Sequence, residues 1–139
     1  MPLTAILAHQ TVEIEQFHEE DRGKDFRCPA CNDKMTLVFP EKRINHFRHM
    51  ESTCGLCETY EHIAMKRTAR DLLKRNNVGQ FTFEKRILQG NDLNIIDLEI
   101  IQRSRKIAVE CQASSMMNST CLERTRSLNR LGYSVLWLL

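Results

Sequence analysis

The amino-acid sequence predicts a small α/β (α+β) fold, and three observations carry that expectation. The chain has 139 residues, of which 42% are hydrophobic and 27% charged. That composition is globular, and the length suits one domain or a small module fused to a minimal core. From Glu58 onward the apolar pattern turns helical, then gives three strand-like runs, a second helix and a last strand. That order builds a mixed sheet between helices. Residues 1–57 read as a separate subdomain of short strands and a Cys- and His-rich section, so the expected division is 1–57 and 58–139.

Taken in order, Val12, Ile14 and Phe17 are separated by polar positions and predict a short strand pair within residues 3–17. The acidic stretch Glu19–Asp25, which contains Gly23, reads as a loop. Met35–Phe39 reads as a strand ended by Pro40. Ile63, Ala64, Ala69, Leu72 and Leu73 recur at helical spacing, and Asn76, Asn77 and Gly79 supply a stop. Strands follow at Gln80–Leu88, Leu93–Gln102 and Lys106–Gln112, with turns at Gly90–Asn91–Asp92 and Arg103–Ser104–Arg105. Thr120-x-x-Glu123 reads as a capping box, opening a helix that runs to Leu131 and stops at Gly132. Tyr133–Leu139 reads as a buried last strand.

The formal net charge of +2 conceals an asymmetry. Residues 1–25 hold six acids and two bases, a balance of −4, which leaves +6 for the remainder. A basic body favours a polyanionic partner, though weakly at this magnitude. Apolar runs such as Val135–Leu139 are far too short to span a bilayer, and no basic segment followed by an apolar one opens the chain. No membrane association and a cytoplasmic location are therefore expected. In a reducing compartment, six cysteines point to metal before disulfides.

Cys28-x-x-Cys31 has the spacing that lets two thiolates share one tetrahedral ion. Its partners come from His46, His49, Cys54 and Cys57, and mixed thiolate and imidazole ligands suit Zn²⁺. An all-cysteine set (Cys28, Cys31, Cys54, Cys57) is the alternative, and it also accommodates an iron–sulfur cluster. The expected role is structural, since residues 1–57 look too short to build a core of their own. Arg27, Lys34, Lys42, Arg43 and Arg48 lie around the cluster in sequence and offer a grip on phosphates. Cys111, Cys121 and His62 read as packing residues.

A second group of residues carries chemistry. Period-two counting puts Asn94, Ile96, Leu98 and Ile100 on one face of their strand and Leu93, Ile95, Asp97, Glu99 and Ile101 on the other. On the next strand Ile107, Val109 and Cys111 form a core face, opposite Ala108, Glu110 and Gln112. Carboxylates among aliphatic neighbours are costly unless a cation or proton compensates them. If the two strands are antiparallel neighbours, Asp97 and Glu110 converge into a hard oxygen site suited to Mg²⁺; the alternative is that Asp97 and Glu99 line an exposed face and pair with Arg or Lys. Glu61 shares a helical stripe with Met65, Thr68 and Leu72 and is expected to point toward the sheet; the alternative is a first-turn acid complementing the helix dipole.

Glu61-His62-x-x-x-Lys66, Ile96-Asp97-Leu98, Ala108-Val109-Glu110-Cys111-Gln112-Ala113-Ser114, Glu123-Arg124 and Gly132-Tyr133-Ser134-Val135-Leu136-Trp137-Leu138 follow one another in order. This run resembles the competence protein CoiA-like family, whose core is a PD-(D/E)XK nuclease fold. Cys28-Pro29-Ala30-Cys31 and His46-Phe47-Arg48-His49 resemble that family's metal-binding N-terminal part. The resemblance implies a restriction-endonuclease-like αβββαβ core with an edge-like first strand, which cuts DNA with Mg²⁺ or Mn²⁺. It implies Asp97 and Glu110 as metal carboxylates and Glu61 as the helix-borne acid. Gln112 takes the place of the superfamily's lysine, so the transition-state charge falls to Lys66, Lys85 or Arg124. It also favours Cys28, Cys31, His49 and Cys54 as the structural Zn²⁺ set, with His46 or Cys57 as replacements. The DNA is single-stranded, duplex or branched, and a homodimer is expected. A non-catalytic, zinc-stabilised DNA-binding module of the same fold is the alternative.

Overall fold

The computed structural model describes residues 2–51 and 58–139. The chain divides into two compact units, Met1–Ile63 and Ala64–Leu139.

In the first unit, β1 (Thr4–Leu7), β2 (Gln10–Glu13), β3 (Phe26–Arg27), β4 (Lys34–Val38) and β5 (His46–His49) form one sheet in the order β2-β1-β3-β4-β5. Every neighbouring pair is antiparallel. The β1–β2 pair matches the expected hairpin, and it turns through Ala8 and His9, both at positive φ, as a two-residue loop requires. The acidic stretch is a short 3-10 turn at Glu19–Gly23 rather than an open loop. Asp21 holds it by accepting the His18 N–H at 2.9 Å and pairing with Lys24 at 2.7 Å. The expectation that this segment lacks its own core is corrected. Phe26 stacks edge-on with Phe17 at 4.9 Å and tilts against Phe47 at 5.1 Å, and Met35 and Leu37 are buried with them. Three aromatic rings supply enough apolar surface to give a small sheet one packed face.

In the second unit, β6 (Gln80–Gln89), β7 (Asp92–Gln102), β8 (Arg105–Cys111) and β9 (Tyr133–Leu138) form a four-stranded sheet in that order. The first two pairings are antiparallel and β8–β9 is parallel, joined by a crossover through α2 (Asn118–Arg130). The expected edge position of the first strand holds for β6. Before it, α1 (Tyr60–Arg75) starts where Thr59 Oγ1 accepts the His62 N–H at 3.3 Å. It stops where Asn76 donates to the Leu72 carbonyl at 2.8 Å and the chain passes through positive φ at Asn77 and Gly79. A Cβ at Gly79 would lie 2.8 Å from the Ile101 carbonyl oxygen, so only glycine fits there.

Two expectations about the end of the chain are corrected. α2 begins at Asn118, two residues before Thr120, and its N-cap Met117 makes no side-chain cap bond. The Cys121 N–H already reaches the Met117 carbonyl at 3.2 Å, so Thr120 lies inside the helix and cannot cap it. β9 is not a buried strand. It sits at the sheet edge, where only Tyr133 is buried, and Leu136 is 51% exposed. The apolar centre of the unit is Ile96, Ala108, Leu128 and Tyr133, with Ile87, Leu131 and Val135 packed against it. No helix among the described residues is long and apolar enough to cross a membrane.

Candidate active site

The centre of the four-stranded sheet buries four carboxylates, those of Glu84, Asp97, Glu99 and Glu110. Leaving any one charged and unanswered in a protein interior would cost several kcal/mol. Each is answered. Lys66, on α1 and 1% exposed, donates to Glu84 Oε1 at 2.6 Å and lies 3.8 Å from Asp97 Oδ1. The other Asp97 oxygen accepts the Cys111 N–H at 2.7 Å, so the side chain ties β7 to the end of β8. Glu99 accepts the Tyr133 hydroxyl and lies 3.8 Å from Lys85. Burial first, and then this bond to Glu99, push the Tyr133 phenol up to about 12. Glu110 takes both oxygens to Arg124, from Nε and Nη2, each at 3.2 Å. Arg124 also donates to Asn94 Oδ1 at 2.8 Å and to the Ile95 carbonyl, which fixes α2 against β7 and β8 together.

The backbone departs from regular strand geometry at the same place. β6 and β7 pair at Phe83↔Leu98 and Lys85↔Ile96, but the Glu84–Asp97 position between them is skipped. Glu84 there has φ 47°, a conformation that a glutamate rarely adopts. Strict alternation would put Ile96 and Glu99 on opposite faces. Instead Ile96 belongs to the apolar cluster that includes Tyr133, and Glu99 bonds to Tyr133. The face assignment made by period-two counting therefore does not run through Asp97.

Asp97 and Glu110, the two acids expected to converge, are both buried on neighbouring strands, and each is held by a different helix: Asp97 lies beside Lys66 of α1 and Glu110 is gripped by Arg124 of α2. Gln112 follows β8, where its N–H donates to the Leu138 carbonyl at 2.8 Å and its side-chain amide donates to Ser114. Glu61 does not follow its expected direction. It is exposed, as is Thr68 of the same stripe, whereas the buried face of α1 carries Ile63, Lys66, Ala69 and Arg70. Lys66 is buried there against Glu84 and Asp97, Arg70 pairs with Asp71, and Phe83 accepts both cations over its ring at 5.5 Å. His62 pairs one turn back with Glu58 at 3.6 Å. Of the three cations proposed to carry charge, each faces a different acid: Lys66 Glu84 and Asp97, Lys85 Glu99, Arg124 Glu110. Glu84 was missed from sequence. The signal in the sequence is the charged run Glu84-Lys85-Arg86, which interrupts the alternation of Phe81, Phe83 and Ile87 in the middle of the strand.

In the first unit, Cys28, Cys31 and His49 bring one ligand atom each within 4.8 Å of one another. The Cys28 carbonyl accepts the Asn32 N–H at 2.9 Å, with Asn32 at positive φ, and the Cys28 Sγ accepts the Ala30 N–H at 3.4 Å. This tight turn aims both sulfurs the same way, and His49 Nε2 lies 3.3 Å from Cys31 Sγ. Two thiolates and an imidazole suit a tetrahedral Zn²⁺ site. His46 does not join this group; its Nδ1 is held by the Ile44 carbonyl at 2.9 Å, and burial lowers its pKa. Cys54 and Cys57 lie outside the described residues.

A helix–three strands–helix–strand unit with carboxylates buried on its central strands defines the second unit as a nuclease-like α/β domain. The family model described as "Competence protein CoiA, nuclease-like domain" matches residues 58–139, and the chain belongs to this family. No curated protein and no solved structure matches the chain significantly. A domain of this kind implies a nucleic-acid substrate and, in general, a divalent metal.

Lys66→Met is expected to destabilise the protein by about 3–5 kcal/mol, because it leaves Glu84 and Asp97 buried without their shared cation. Adding Glu84→Gln recovers part of that loss, which urea unfolding of the two single variants and the double variant measures. Equal midpoints for wild type and Lys66→Met would contradict the pairing.

Proposed function

We propose that the chain is a metal-dependent nuclease that hydrolyses DNA phosphodiester bonds with Mg²⁺ or Mn²⁺. The observation that carries the proposal is the burial of Asp97 and Glu110 on adjacent strands of a nuclease-like sheet. Their carboxylate oxygens are the hard donors such an ion prefers, and Asp97 and Glu110 would hold it. When bound, the ion would lower the pKa of a water and polarise the phosphorus. The chain's own residues do the rest. The Cys111 N–H fixes one Asp97 oxygen, so that carboxylate has one orientation to offer. Lys66 balances the charge of Asp97 and Glu84 together. Gln112 cannot answer charge on a phosphate, and Lys66, Lys85 and Arg124, each beside a buried acid, are the candidates for that task.

A specific observation favours a second reading. Glu110 already has a bidentate guanidinium, and Asp97 has an ammonium and an amide, so the acids are neutralised without a metal. That arrangement suits a zinc-stabilised DNA-binding module that does not cut. In either reading Cys28, Cys31 and His49 hold a structural Zn²⁺, with Cys54 as the proposed fourth ligand. A homodimer belongs to the same proposal, since β9 is an open edge carrying the exposed Leu136.

Purified protein is expected to cut single-stranded, duplex or branched DNA with Mg²⁺ or Mn²⁺ and to stop with chelator. Asp97→Asn and Glu110→Gln should each lower the rate at least 100-fold while the protein stays folded by circular dichroism; folded wild type that cuts none of these substrates is the non-catalytic module. Metal analysis should find about one zinc per chain, lost in Cys28→Ser, and a full zinc content in that variant would remove Cys28 from the ligand set.

A further inference from the structure

β8 and β9 run parallel with Glu110 opposite Trp137, so the two side chains leave the same face of the sheet from backbones one strand spacing, about 4.8 Å, apart. Trp137 is held rather than loose: its Nε1–H donates to Thr125 Oγ1 at 3.0 Å, one residue beyond the Arg124 that grips Glu110. Beside the indole lies a cleft of about 420 Å³ lined by Gln112, Ser114, Asn118, Cys121, Trp137 and Leu139, among others. The Gln112 amide is also fixed, donating to the Ser114 carbonyl at 2.8 Å and to its hydroxyl at 3.0 Å. The cleft is thus bounded by an aromatic ring, an amide, a hydroxyl and a thiol, and none of its lining side chains is charged.

Those walls suit a planar, neutral ligand with hydrogen-bonding edges better than they suit a phosphate. An aromatic ring offers a stacking partner to any base, and amide and hydroxyl groups meet base edges. The volume falls in the range of small-ligand sites and leaves room for one nucleobase with its sugar. We propose that this cleft receives one unstacked nucleobase of the substrate next to the bond that Glu110 serves, so that the protein prefers DNA with unpaired bases over continuous duplex. The inference rests on the nuclease reading for the position of the bond, but not for binding. A base held in a duplex cannot enter without being unpaired and unstacked, which is the source of the preference.

Trp137 is the only tryptophan of the chain, so its fluorescence reports on the cleft alone. The experiment titrates the full-length protein, in magnesium-free buffer without chelator so that the zinc is undisturbed, with a thymidine oligonucleotide and with a blunt duplex of equal length. Labelled copies of both are followed in parallel by anisotropy. The expected result is quenching of Trp137 by the single strand, at the concentration where anisotropy reports binding, and at least tenfold weaker quenching by the duplex. Cys121→Met, which adds volume inside the cleft, should weaken single-strand binding about tenfold. Anisotropy that shows single-strand binding without quenching, or equal quenching by single strand and duplex, overturns the proposal, and the wild-type titration decides this even if the variant does not fold. Quenching by single strand in a protein that never cuts DNA with Mg²⁺ or Mn²⁺ supports the cleft while removing the nuclease reading.

Discussion

The Lys66 ammonium sits almost entirely out of water between Glu84 and Asp97, and much of the second unit is arranged around keeping it there. A buried ammonium is tolerable only with close, well-oriented anions, and two buried carboxylates are tolerable only with a cation. Neither side can be relaxed alone. α1 must turn a charged stripe inward where an amphipathic helix would normally turn an apolar one. β6 must hold Glu84 in a left-handed backbone conformation, at the one position where its pairing with β7 is skipped. Asp97 must give its second oxygen to the Cys111 N–H, which fixes the end of β8 and hence the place of Glu110.

The same logic governs the other half of the acid cluster. Arg124 reaches Glu110, Asn94 and the Ile95 carbonyl, so one guanidinium joins α2 to two strands. Cations that stabilise the folded chain in this way also compete with a divalent ion for the carboxylates. A metal at Asp97 and Glu110 would have to add to, or partly replace, the charge that Lys66 and Arg124 now supply. Whether these acids hold a metal ion depends on which of these cations wins.

Much of the fold was legible in the sequence because it is carried by local signals. The Asn76, Asn77 and Gly79 stop, the Gly90 and Arg103–Ser104 turns and the Gly132 terminus all act through backbone conformation of the residues themselves. The antiparallel pairing of β7 with β8, the condition on which a meeting of Asp97 and Glu110 was expected, is present and joins Leu98–Gln102 to Arg105–Val109. What was not legible depends on partners distant in sequence. Glu61 and Lys66 are both helix-surface residues by type, and only the waiting acids on β6 and β7 decide that Lys66 is the one turned in. Glu84 carries no sequence mark of its left-handed backbone. His46 and His49 are three residues apart on one short strand, and it took the Ile44 carbonyl to take His46 out of the thiolate group. The Thr120 capping box failed because α2 already begins at Asn118, with the extended Met117 as its N-cap.

Crystals grown with Mn²⁺ and measured at the manganese absorption edge test the central claim most directly, since the anomalous signal locates the ion without reference to activity. A peak in contact with carboxylate oxygens of both Asp97 and Glu110 is the expected result, with Arg124 drawn back from Glu110. No peak there in saturating Mn²⁺, with Arg124 still bidentate on Glu110 and Lys66 still beside Asp97, would contradict a metal-dependent site and leave a sheet whose buried acids are balanced by the protein's own cations.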